Sequence, residues 1–300
     1  MSGFTAIELD KLPAPDAVEP LDFETILADA RAQLIGLDPS LADVLALESE
    51  PINKLLEVFT YRELLLRQRV NEAVKAVMLP YAMDADLDNL GALFGVQRLQ
   101  LDAGDPDAIP PVPARYETNS DFRRRIQLSL EGLSTAGPEG AYVFHGLSAD
   151  GDVLDISATS PSPGDVLVTV LSRTGDGAAN QALQDTVAAA LSADNVRPLT
   201  DNVTVQSATI INYSIDATLF FFSGPDRALV LAEAQSNIDA YVAKQHKLGL
   251  DITLSGIYSA LHVPGVQRVN LASPGANISV NRQSTAYCTN ITLTDGGLDE

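Results

Sequence analysis

The chain has 300 residues, 46% of them hydrophobic, with a formal net charge of −21 and a sequence pI of about 4.3. Apolar content on this scale excludes wholesale disorder. The acidity excludes binding to nucleic-acid phosphates or to an anionic membrane surface, because both need a basic face. The single cysteine, Cys288, excludes an intrachain disulfide and a cysteine-rich metal site, and fits a reduced compartment.

The N-terminus has no basic segment followed by an apolar one, so it does not read as a signal peptide. No apolar run is long enough to span a bilayer. Charge is uneven: residues 1–50 hold eleven acids and two bases, whereas residues 51–80 hold five bases and three acids. Any partner is therefore expected to present basic or apolar surface.

Residues 1–20, with Pro13, Pro15 and Pro20, read as an extended acidic arm. Asp22–Ile35 predicts an amphipathic helix, with Phe23, Ile26, Leu27, Ala30 and Leu34 at helical spacing and Gly36 as its stop. The longest helical signal opens at Pro51 and runs without glycine or proline to Leu79, where Pro80 ends it. At about 1.5 Å per residue such a helix is roughly 43 Å long. Its apolar stripe comprises Ile52, Leu55, Phe59, Leu66, Val70, Ala73 and Val77, widened by Leu56, Leu65, Val74 and Met78 and interrupted near the middle by Arg62. Two readings stand: a seam that bundles with another chain, or the core helix of one globular domain.

Asp84–Leu93 predicts a short helix closed by Gly95, and the proline-rich stretch 99–118 a surface excursion. Ser120–Leu130 and roughly Glu139–Leu147 read as helices. Beyond them the pattern changes to α+β with short strands. Strands are expected at Val153–Thr159, Val166–Leu171, Val203–Ser207, Tyr213–Phe221, Val266–Ala272 and Cys288–Leu293, with helices at Asn180–Leu191 and Asp226–His246. A faint repeat joins Tyr142–Pro161 to Tyr258–Pro274: helix, tight turn, alternating strand, Ser-Pro. The division expected from these signals is an arm with bundle helices (1–80), a small helical segment with its proline-rich loop (81–140), a first α/β module (141–207) and a second with a C-terminal tail (208–300).

Chemistry-bearing motifs are weak. Gly175–Asn180 sits between a strand and a helix like a dinucleotide loop but lacks the third glycine, so a turn is the better reading. Asp84, Asp86 and Asp88 have calcium-loop spacing, but Asn89 and Gly95 stand where the loop needs glycine and glutamate. His145, His246 and His262 form no close pair for zinc and read as packing or capping residues. Ser148 lacks the second glycine of a nucleophile elbow, and Cys288 reads as a buried thiol. Arg123, Arg124 and Arg125 point in different directions and read as solvated charge or interface ion pairs. Leu219–Phe222 reads as a core strand, with an exposed contact as the alternative. No catalytic residue, cofactor or metal ligand is expected.

Two strings are more specific than any of these. They are Arg67–Leu99 (RQRVNEAVKAVMLPYAMDADLDNLGALFGVQRL) and Asp121–Gly177, which contains DFRRRIQLSLEGLSTAGPEGAYVFHGLSAD and ISATSPSPGDVLVTVLSRTGDG. Both resemble the baseplate J family of contractile-tailed bacteriophages, and length, segment order and acidic arm extend the resemblance over nearly the whole chain. It implies a non-enzymatic wedge subunit of the virion tail baseplate, assembled in the bacterial cytoplasm. Such a subunit dimerises within the wedge, and six wedges ring a hub and spike. Its implied partners are a second copy, a small lysozyme-like wedge protein, a tail-fibre-connecting protein and the hub. The ring rearranges on host attachment. A related phage-derived injection device or tail-like bacteriocin is the alternative setting, and a hydrolase using dispersed acids a remoter one.

Overall fold

A computed structural model describes residues 7, 9, 12, 13, 15, 21–134, 136–194, 196–224 and 226–299; the greater part of the expected acidic arm lies outside the described residues. The chain divides into two compact units, one of Ala6–Gln97 with Asn119–Arg123, the other containing Arg98–Thr118 and Arg124–Glu300.

The first unit is helical. Helix α1 (Phe23–Leu37) is capped by Asp22, whose carboxylate accepts from the Glu24 N–H. The expected stop at Gly36 is overrun: Gly36 lies inside the last turn, and the helix ends at Asp38, which is extended (φ −140°). The cause is Pro39, whose ring disfavours helical conformation in the residue before it. Asp38 then caps the next turn, a 3-10 segment Pro39–Leu41, by accepting from Ser40. A short α2 (Ala42–Leu45) leads to α3 (Pro51–Ala76), which has its proline in the first turn as expected and ends three residues before Leu79.

Helix α4 (Asp84–Leu93) ends in a Schellman motif. Gly95 adopts φ +69°, the Val96 N–H reaches Gly91 O at 3.0 Å, and the Gly95 N–H reaches Ala92 O at 3.1 Å. The first residues of α5 (Asn119–Leu128) pack here: a Cβ on Gly91 would lie 2.5 Å from Cζ of fully buried Phe122. Arg123 donates to Leu79 O and Ala82 O, satisfying carbonyls left open past the end of α3.

In the second unit the proline-rich excursion is pinned by a small hairpin, β1 (Gln100–Asp102) with β2 (Arg115–Tyr116). Two three-stranded sheets follow. In the first, α6 (Glu139–Leu147) leads to β3 (Val153–Ser162), β4 (Asp165–Ser172), α7 (Gln181–Leu191) and β5 (Asn202–Ser207). Central β4 pairs antiparallel with β3 and parallel with β5, α7 forming the crossover. In the second, β6 (Thr209–Phe221) is central; α8 (Arg227–Gln245), α9 (Leu254–Leu261), β7 (Val266–Ser273) and β8 (Ser284–Leu298) follow. β6 pairs antiparallel with β7 and parallel with β8.

Both sheets thus read antiparallel edge, centre, parallel edge, with permuted connectivity. The repeated helix–turn–strand segment is α6–β3 in one and α9–β7 in the other, and in each it supplies the antiparallel edge. The α+β class is as expected; the strands are not all short, since β6 has 13 residues and β8 has 15. In β6, Tyr213, Ile215, Ala217, Leu219 and Phe221 alternate into a core closed by Val230, Ala234, Ile238 and Ile257 of the helices. Of the Leu219–Phe222 run, Leu219 and Phe221 are core, Phe220 lies under the Arg268 guanidinium, and Phe222 is exposed.

The three adjacent arginines are not solvated or intersubunit charges; the structure corrects that expectation. Arg124 pairs with Asp155 at 2.7 Å, and Asp155 also accepts the Leu248 N–H at 3.0 Å, tying the second sheet's helical connection to β3. Arg125 is bidentate to Glu117 (2.7 and 3.1 Å), and Glu117 also accepts the Leu99 N–H. The Glu117 and Arg125 side chains are 1% and 6% exposed, so each neutralises the other's buried charge. We predict that Arg125→Ala, leaving Glu117 buried and unpaired, lowers unfolding free energy by about 3–5 kcal/mol. Replacing both partners by leucine is expected to cost less. Urea denaturation of the two variants checks this, and an equal or larger loss in the double variant would refute it.

A candidate assembly surface on the long helix

The surface is built on α3, and the residues that hold that helix in place are polar. Its fully buried positions are Asn53, Thr60 and Asn71, seven and eleven residues apart and therefore on one face. α1 packs on α3, and Arg31 Nε donates to Asn53 Oδ1 at 3.2 Å. Asn53 Nδ2 donates to Leu45 O (3.0 Å), a carbonyl left open where α2 ends, and to Leu47 O (2.7 Å), which also accepts the Glu50 N–H at 3.2 Å. One amide thereby joins three helices.

With the polar face inward, the apolar stripe faces out. Leu55, Phe59, Leu66, Val70, Ala73 and Val77 are exposed, Leu66 by 65% and Val77 by 70%, and Ile52 is half-buried. Leu65, which widens the stripe, is exposed beside them, as are Val58 and Tyr61, which helical spacing did not single out. Arg62 and Arg69 stand among these side chains, exposed and without an ion-pair partner among the described residues. On the other flank, Glu63, Leu66, Arg67 and Val70, with Asn71, line a recess of about 240 Å³. The first four are spaced i, i+3, i+4 and i+7, the diamond that receives one side chain of a facing helix. The Glu63–Arg67 ion pair at 2.6 Å fixes one wall.

The other motifs are structural in their surroundings. Gly175 and Gly177 take positive φ in a turn, and Asn180 caps α7 by accepting from Leu183. Asp84 exchanges hydrogen bonds with Asn119. Among the described residues no three His, Cys, Asp or Glu side chains are grouped for a metal. His145 Nε2 contacts Gly132 O, His246 Nδ1 contacts Ala286 O, and His262 caps α9. Ser148 Oγ accepts from Arg125. Cys288 is half rather than fully buried, and desolvation raises its thiol pKa. A second recess, of about 220 Å³, is lined by Glu139, Tyr142, Thr159 and Arg282 among others. Its polar groups are already used: Tyr142 donates to Asp201, Arg282 to Glu139. Burial and the Asp201 hydrogen bond push the Tyr142 pKa above its ordinary value.

The 26-residue α3 thus carries a contiguous outward apolar band, the kind of surface that suits contact with another molecule. Comparison with known proteins gives the family. Residues 48–105 match the baseplate J-like N-terminal domain, 134–207 the baseplate J-like central domain and 213–294 the baseplate J-like protein C-terminal domain. The chain is 52% identical over 299 residues to baseplate protein J of Escherichia phage P2, covering 98% of this chain and 99% of that one. It belongs to the baseplate J-like family, structural proteins of phage-tail baseplates. A solved structure, the anti-feeding prophage baseplate determined by cryo-electron microscopy, matches with a TM-score of 0.42 and 16% identity, over 59% of this chain and 44% of that one.

The inverted burial of α3 is testable in the isolated chain. Leu66→Ala is expected to change unfolding free energy by no more than about 0.5 kcal/mol, as for an exposed site. Asn53→Ala is expected to cost about 1–3 kcal/mol by leaving the buried Leu45 carbonyl without its donor. A larger loss for Leu66→Ala than for Asn53→Ala in thermal or urea unfolding would mean that the stripe, and not the polar face, is buried.

Proposed function

We propose that this chain is a non-enzymatic wedge subunit of a phage-tail baseplate. It pairs with a second copy within the wedge, and six wedges close a ring around the hub that rearranges on host attachment. A small lysozyme-like wedge protein and a tail-fibre-connecting protein are its other neighbours. The observation that carries this reading is the outward apolar band of α3. A helix tied to its neighbours through Asn53 leaves Leu55, Phe59, Leu66 and Val70 exposed, with no role in the subunit's own core. Family membership supports the baseplate as the setting.

Within this reading, residues 1–80 provide the bundling helices and residues 81–140 link them to the remainder. Residues 141–207 and 208–300 are the two α/β modules that build the ring. The flanks of the sheets suit ring contacts, since β3 and β5 in the first and β7 and β8 in the second are edge strands. The interface positions are Ile52, Leu55, Phe59, Leu66, Val70, Ala73 and Val77.

Leu66→Glu places a carboxylate at the middle of the band. Co-expressed with the two wedge partners and sized by light scattering, the unmodified chain is expected in a complex holding two copies. The variant is expected alone, with an unchanged circular dichroism spectrum. Normal assembly by the variant would remove the stripe from the interface.

A further inference from the structure

The band on α3 has a heptad register. Ile52, Phe59, Leu66 and Ala73 fall at one core position, and Leu55, Arg62, Arg69 and Ala76 at the other. Two successive places of the second column are therefore basic. Both arginines are exposed, and neither has a partner among the described residues. The acids of the helix are already engaged: Glu57 with Lys54, Glu63 with Arg67, Glu72 with Gln68. When the band is covered, two guanidinium groups lose water, at a cost that only apposed carboxylates offset.

A second α3 does not supply them. In a parallel pair like positions face each other, so Arg62 meets Arg62 and Arg69 meets Arg69. In an antiparallel pair the arginine column meets Ile52, Phe59, Leu66 and Ala73, which carry no charge. Self-pairing in either orientation buries uncompensated positive charge. The bias is local, since the chain as a whole carries −21.

We propose that the direct occupant of the α3 band is an amphipathic helix of a different polypeptide, apolar at its core positions and carrying two acidic residues one heptad apart, opposite Arg62 and Arg69. This rests on the band being an interface, and adds which partner it takes. The two arginines select the acidic helix and keep free chains from pairing through α3. A second copy joins this seam only once the acidic helix has neutralised them. The recess between Glu63 and Val70 receives an apolar side chain of the same assembly.

The test uses the full chain and two synthetic helices about four heptads long, with leucine at every core position except two successive ones. Those two are glutamate in one peptide and lysine in the other. By calorimetric titration the glutamate peptide is expected to bind at least about tenfold more tightly, roughly 1.4 kcal/mol, with the preference shrinking as salt rises. The variant Arg62→Leu with Arg69→Leu is expected to lose the preference and to form concentration-dependent dimers in light scattering, while keeping the parent's circular dichroism spectrum. If both peptides bind the parent chain equally and Leu66→Glu abolishes both, the band is an interface but the charge selection is wrong. If neither peptide binds and the double leucine variant stays monomeric, the band is not an interface and the proposal falls with it.

Discussion

Asn53 is wholly buried on the inner face of α3, its amide nitrogen shared between Leu45 O and Leu47 O and its oxygen taken by Arg31. The orientation of α3 against α1 and α2 is tied to that arrangement. Leu45 O at the end of α2 needs a donor, and a buried carbonyl without one costs about 1–3 kcal/mol. Asn53 supplies two donors from a single side chain, so α3 is rotated to present Asn53, and with it Thr60 and Asn71, to its neighbours. A helix has one orientation, and satisfying its polar face leaves the apolar face outside. The exposure of Leu66 and Val77 is thus the counterpart of the hydrogen bonds that Asn53 makes on the opposite face.

The α/β unit solves a different problem. Each three-stranded sheet is small, and a few ionic and backbone contacts set its place. Asp155 on β3 holds Arg124 and the Leu248 N–H together. Arg282 reaches Ala158 O and Glu139 from the second sheet's side, and Gln283 reaches Thr159. These contacts are polar and directional, so they specify one relative placement of the sheets where apolar packing alone would tolerate several. Both sheets share the order antiparallel edge, centre, parallel edge, which explains why a helix–turn–strand repeat is visible in a chain whose connectivity is permuted.

Elements with strong local signals were legible in the sequence. Pro51 and an unbroken 3.6-residue period marked α3, Gly95 marked the end of α4, and period-two alternation marked β6, because each depends on backbone preferences and on which face meets apolar neighbours. Gly36 misled because a proline three residues past it acts more strongly than a glycine inside the turn. The specific strings Arg67–Leu99 and Asp121–Gly177 carried the family, which the family comparisons bear out.

The sequence by itself determined where the long helix runs, that it bears an apolar stripe with Arg62 in it, and that α/β modules follow. It left open whether the stripe is core or surface, since periodicity reports that residues share a face and not what that face meets. Tertiary structure decided it, because Asn53 finds its carbonyls only when α1, α2 and α3 are folded together. For the same reason Arg124 and Arg125 read as surface charge in one dimension: Asp155 lies 31 residues from Arg124, and Glu117 meets Arg125 only where the hairpin returns beside α5. Burial of charge is a property of partners brought together by the fold, and no local pattern encodes it.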